Sequence, residues 1–137
     1  MTLFSEIRGL TVVTETDAAE LGVVASLAVD PVSGTVTHLR VRGRRPRGET
    51  VLPLGALRAI GPDGVLVRPA AADGPPPPAH DPVDSRVLTD TGDDRGTVHD
   101  IAFDPDTGRV RKVITPRGDI PGERLMGLGA YALVVRA

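Results

Sequence analysis

Apolar and polar positions alternate along this chain in short runs, and glycine, proline and aspartate punctuate them. Val23 to Val29 is apolar apart from the small residues Ala25, Ser26 and Ala28, and a matching segment runs from Val98 to Phe103. Both end in Asp-Pro-x-Ser/Thr-Gly, Asp30 to Gly34 and Asp104 to Gly108. Asp bonds the turn backbone, Pro31 and Pro105 preset φ, and Gly34 and Gly108 accept positive φ. Each is therefore a predicted turn between two strands. On the return strands Val36, Leu39 and Val41 face one way, with Thr37, Arg40 and Arg42 exposed; Val110 and Val113 alternate with Arg111 and Lys112. That period argues half-buried strands rather than helices. A strand over 50–54, a short turn over 55–60 and the turn Gly61-Pro62-Asp63-Gly64 lead into the strand Val65-Leu66-Val67. About five short strands per half, closely spaced by turns, predict a small barrel.

The halves are copies of one unit. Laying residues 13–57 on 87–131 at a constant offset of 74 matches Gly22 with Gly96 and Val24 with Val98. It also matches Asp30, Pro31 and Gly34 with Asp104, Pro105 and Gly108, Gly48-Glu49 with Gly122-Glu123, and Leu54-Gly55-Ala56 with Leu128-Gly129-Ala130. On this alignment Ile60 to Gly64 has no counterpart, and Leu133 to Arg136 resumes against Val65 to Arg68. Between the copies, residues 69–84 include four consecutive prolines, Pro75 to Pro78, which favour an extended, semi-rigid spacer. The expected organisation is domain 1 over 1–68, a Pro-rich linker over 69–84 and a shorter domain 2 over 85–137.

Composition narrows the function classes. The chain has 137 residues, net charge −2 and no cysteine, which excludes a disulfide framework, thiolate metal sites and a cysteine nucleophile. Aromatics are 2% of residues (Phe4, Phe103 and Tyr131), too few for stacking on single-stranded bases. No run of about 18 apolar residues exists to span a membrane, and the first residues lack a basic and an apolar signal region. The expected location is the cytoplasm. Units of about 60 residues are marginal alone, so the two barrels are expected to pack on one another or the chain to form a homodimer. With so few aromatics, Val, Leu, Ile and Ala must build each core.

The order Gly22…Asp30-Pro-x-x-Gly34-x-Val36, then Val51-Leu52-Pro53-Leu54, then Gly61-x-Asp63-x-Val65 resembles the PRC-barrel family. That family is named for the cytoplasmic barrel of the photosynthetic reaction-centre H subunit and also supplies the C-terminal domain of a ribosome-maturation factor. The resemblance covers about residues 5–68 and again 86–136, with Gly127 aligned to Pro53 in the second copy. It implies an all-β fold of two tandem small antiparallel β-barrels related by internal duplication. It also implies an adaptor role, docking to larger assemblies without chemistry of its own.

Candidate chemistry is sparse. His80 lies in the linker, and His38 and His99 fall at strand positions expected to face solvent or the core edge. Ser5, Ser26, Ser33 and Ser85 have no evident activating base, so no catalytic residue is assigned. Asp104, Asp106 and Gly108 imitate the start of a calcium loop near Asp90, Asp93 and Asp94, but Thr115 stands where the bidentate Glu belongs, so no metal is assigned and no cofactor is expected. Arg40, Arg42, Arg44, Arg45 and Arg47 form a local positive field. These are the interaction candidates, read either as a solvated hairpin tip or as a contact with RNA phosphate, the ribosome or an acidic protein surface. Arg109, Arg111, Lys112 and Arg117 continue the field in the second copy. A protein partner within a larger assembly is the leading reading, and RNA or ribosome association the alternative.

Overall fold

The computed structural model describes residues 1–43, 48–68 and 77–137. The first half runs β1 (Thr2–Leu3), the one-turn helix α1 (Phe4–Ile7), β2 (Thr11–Thr14), β3 (Glu20–Asp30), β4 (Thr35–Arg42), β5 (Glu49–Pro53), a 3-10 turn (Leu54–Ala56), β6 (Leu57–Gly61) and β7 (Gly64–Val67). The second runs β8 (Arg86–Thr89), β9 (Asp94–Thr97), β10 (Asp100–Phe103), β11 (Val110–Thr115), β12 (Gly118–Pro121), a 3-10 turn (Gly122–Arg124), β13 (Leu125–Leu128) and β14 (Leu133–Val135). The fold is all-β. One sheet has the order β5-β4-β3-β2-β7-β6; the others are β13-β14-β8-β9 and β1-β10-β11-β12. No sheet closes on itself among the described residues. The second half follows the same strand order, split where the counterpart of the long strand β3 breaks into β9 and β10 at Val98-His99.

Equivalent hydrogen bonds identify the repeat more sharply than sequence does. Gly9 N–H donates to Val24 O (2.8 Å) and Asp84 N–H to Val98 O (3.0 Å); Glu15 N–H donates to Val67 O and Asp90 N–H to Val135 O, both at 2.8 Å. His38 pairs with Pro53 across β4–β5, and Lys112 with Pro121 across β11–β12. The offset is thus 75 at β2/β8, 74 through the central hairpins and 68 from β5/β12 onward.

This corrects the ungapped alignment. Pro116-Arg117 turns β11 into β12 where the first half uses Arg42 to Glu49, so the second copy is shortened at this hairpin and not near its end. Pro121, not Gly127, is the counterpart of Pro53, and Leu57–Gly61 has its counterpart in Leu125–Leu128. Sequence comparison missed the gap because the Gly-Glu and Leu-Gly-Ala coincidences scored as matches in the wrong frame.

The halves exchange their leading segments. β1 pairs with β10, Thr2 opposite Phe103 and Leu3 opposite Ala102, and Ser5 N–H and its hydroxyl both donate to the Asp100 carboxylate. Glu6 accepts from Leu3 N–H at 2.9 Å, closing the first turn of α1. Reciprocally, the segment entering β8 lies on the first half: Asp81 accepts from Ser26 Oγ (2.6 Å) and Arg40 Nε (2.7 Å), and Arg40 also donates to Pro78 O (2.5 Å). Pro78 and Asp81, expected in the linker, are therefore docked on the first half, and Pro75 and Pro76 lie outside the described residues.

A second junction joins the two Asp-Pro turns. Val36 N–H donates to Gly108 O (2.6 Å) and Val110 N–H to Gly34 O (2.9 Å), around a bridge between Thr35 and Arg109. Thr35 and Arg109 are themselves equivalent, so a local two-fold axis passes between them. One apolar cluster then runs through both halves, from Phe4 and Ile7 through Leu27, Leu39 and Leu52 to Ile101, Phe103 and Leu133. Both phenylalanines are buried, so the core does not rest on aliphatic residues alone.

Candidate interaction surface

The arginine hairpin grows from β4 and β5. Gly22 permits it: at φ +144°, a Cβ there would sit 2.1 Å from Arg42 O, so β3 and β4 close up where the hairpin departs. Arg40 is not at the tip. It is half-buried, bonded to Asp81 and Pro78 O, and 3.6 Å from Glu49 Oε1. This corrects its expected exposure, and the reason is tertiary: the docked segment supplies Asp81 from 41 residues away. Arg42 is exposed, and Arg44, Arg45 and Arg47 lie outside the described residues. His38 is buried, with Nδ1 2.8 Å from Thr37 Oγ1, because irregular β3–β4 register turns it inward beside Leu39. His80 and His99 are exposed.

Turn residues from the two copies meet. Asp30 Oδ1 accepts from Val32 N–H (3.0 Å) and Asp104 Oδ1 from Asp106 N–H (2.9 Å), with Pro31 and Pro105 between. Gly34 and Gly108, at φ +68° and +79°, close the turns onto the carbonyls of Asp30 and Asp104. Gly96, at φ +90°, lies against the Pro116 ring as the counterpart of Gly22. The Asp104 carboxylate serves its turn and faces Arg111 at 3.7 Å.

A cleft of about 450 Å³ opens on the local two-fold, lined by Ser33, Thr35, Thr107, Arg109, Arg111 and Gly122 among others. Its origin is a break in symmetry. On one side Leu54 packs against Gly108; at the equivalent position on the other side Gly122 has no side chain.

A larger cleft of about 490 Å³ lies between β6, with Leu57 to Pro62, and Met1, Thr2 and Glu6 of the leading segment, with Pro105 and Asp106 at one wall. β6 is an outer strand of the six-stranded sheet, and β1 an outer strand of the sheet it joins. Gly61 pairs with Gly64 across the Pro62-Asp63 turn, Ile60 with Val65 and Ala59 with Leu66. Antiparallel ladders alternate between bonded and outward-pointing residues, so the Ile60 amide and carbonyl point away from β7 toward the cleft. Two other edges are guarded, β5 by Glu49 and Pro53 and β12 by Asp119 and Pro121, whereas β13, the counterpart of β6, is also an outer strand without charge or proline. On β6 the one charge, Arg58, is engaged by Glu15 at 2.8 Å. Sequence reading missed this surface because an edge is a property of strand order.

These sheets and duplicated turns define a modular all-β protein. The family model for the PRC-barrel domain matches residues 1–73 and 78–135, and the chain belongs to that family in two tandem copies. No curated protein matches the chain. No helix among the described residues is long and apolar enough to cross a membrane.

Proposed function

We propose that this chain is a non-catalytic docking module of a larger cytoplasmic assembly, built from two barrel-like units, and that it takes up an extended segment of a protein partner along β6. PRC-barrel domains are generally non-catalytic modules, which supports the first part. The observation that carries the second is the cleft between the unguarded edge of β6 and β1. A strand added there gains main-chain hydrogen bonds from β6 and would extend its sheet toward β1. The arginine hairpin, with Arg42, Arg44, Arg45 and Arg47, is a second contact for an acidic partner. Nucleic-acid binding through it loses one member, because Arg40 is ion-paired within the fold.

The test is a pull-down from the source organism, followed by amide exchange on the recovered complex. Slowing of Ile60 exchange by about tenfold or more supports strand addition, and unchanged exchange removes it. The Arg44, Arg45 and Arg47 to Ala variant separates the contacts: unchanged recovery takes the hairpin out of the interface. RNA binding, if it exists, must weaken steeply with rising salt in a filter assay.

A further inference from the structure

We infer that a small cleft in the second half, ringed by Arg95, Arg124 and Arg136, is a binding site for a phosphate-type dianion. The cleft has a volume of about 140 Å³ and is floored by Thr89, Ile120 and Val135. Clefts that enclose whole small molecules run from about 300 Å³ upward, so this one takes a single anionic group and not a nucleotide. Arg95 comes from β9, Arg124 from the 3-10 turn and Arg136 from the residue after β14. Arg136 N–H donates to Arg124 O at 2.8 Å, and the Arg136 guanidinium donates to Glu123 O, which fixes those two side by side.

The lining of the cleft carries more positive than negative charge, which favours an anion. Arg95 and Arg124 have no carboxylate within ion-pair distance among the described residues, although the chain as a whole carries more acid than base. Asp93 lines the cleft, but one of its oxygens is engaged by the Thr91 hydroxyl at 3.0 Å. Ala137 lies at the rim with its N–H held by Asp90 Oδ1 at 2.9 Å. Three arginines lining one cleft carry planar donor forks that suit the oxygens of a tetrahedral dianion.

The internal repeat supplies an independent observation. Arg136 N–H to Arg124 O in the second half corresponds to Arg68 N–H to Ala56 O in the first, also at 2.8 Å. At that place the first half has Ala56 for Arg124, Leu21 for Arg95 and Leu52 for Ile120, with Arg68 retained. Ala56 and Leu52 are buried and Leu21 packs on the core. One copy covers this end of its sheet with apolar side chains. The other presents two additional guanidiniums at the same position, so the charge is not something the fold itself requires.

The test is a titration of the full chain with inorganic phosphate at constant ionic strength, followed by amide and arginine Nε resonances. Saturable shifts confined to Thr89, Asp93, Arg95, Arg124 and Arg136, with a Kd near or below about 1 mM, are expected. Arg95→Ala or Arg124→Ala lowers the affinity about tenfold or more, and Arg109→Ala on the two-fold cleft leaves it unchanged. Binding also weakens as pH falls and the free phosphate takes up its second proton. A phosphoserine peptide in a second arm distinguishes sources: tighter binding than phosphate assigns the site to a modified partner, equal or weaker binding to free phosphate. Shifts that do not saturate, spread over all exposed arginines, or are matched by acetate overturn the site.

Discussion

Ala18 sits at φ +52° in the turn between β2 and β3, a conformation that disfavours a Cβ. Ala18→Gly is expected to raise stability by about 0.5–1 kcal/mol in urea unfolding. Close approach makes the opposite case at Gly122, where a Cβ would lie 1.9 Å from Val110 O. Gly122→Ala should cost about 2–3 kcal/mol, and Gly129→Ala, with nothing within 4 Å of the added carbon, should stay within about 0.5 kcal/mol. In the same β2–β3 turn, the Thr14 hydroxyl donates to Asp17 and, with the Ala19 amide, holds that carboxyl below its ordinary 3.8. A lowered folded-state value stabilises above the unfolded value and is lost as pH falls through the folded one. The urea midpoint of Asp17→Asn should therefore fall less than that of wild type as pH drops below about 4.

Elements differ most between the halves where the duplication is uneven. The β4–β5 hairpin is six residues longer than β11–β12, and the extra length contains three of the five arginines. Both ladders keep the same pairs up to Val41–Thr50 and Thr115–Gly118. Replacing Arg42 to Glu49 by Pro-Arg should thus leave the six-stranded sheet folded, with an unchanged circular dichroism spectrum and a stability change within about 1 kcal/mol. If the sheet unfolds, the hairpin is part of the fold and not an appendage. The other uneven positions, Gly122 against Leu54 and Arg95 with Arg124 against Leu21 with Ala56, are where the cleft on the two-fold and the arginine-lined cleft of the second half arise.

At the scale of the whole molecule, the exchanged segments make the halves interdependent. Each half lacks a piece that the other half's leading segment supplies: β1 and α1 for β10, and Pro78 to Asp81 for β3 and β4. A chain cut between residues 72 and 73 should yield fragments that do not give dispersed amide spectra alone but co-purify and fold when co-expressed. Two well-folded fragments without mutual affinity would contradict the exchange.

Much of this was legible beforehand. The Asp-Pro-x-x-Gly turns, the alternating return strands and the duplication are local or periodic, and short-range backbone sterics and side-chain period determine them. Phe4 next to Ile7 signalled nothing, because a one-turn helix has no period to read. The candidate surfaces were less accessible. Arg40 reads as exposed until Asp81 is brought to it, and the β6 edge reads as an ordinary strand until the strand order is known.

Local chain chemistry suffices to specify an all-β chain of two related units with tight Asp-Pro turns, since turn chemistry and alternation act over a few residues. Tertiary structure alone decided the frame of the repeat beyond β4, the exchange of leading segments, the partners of Arg40 and His38, and the placing of Arg95, Arg124 and Arg136 at one cleft. Each depends on contacts between residues tens of positions apart, which close packing selects and no local pattern encodes.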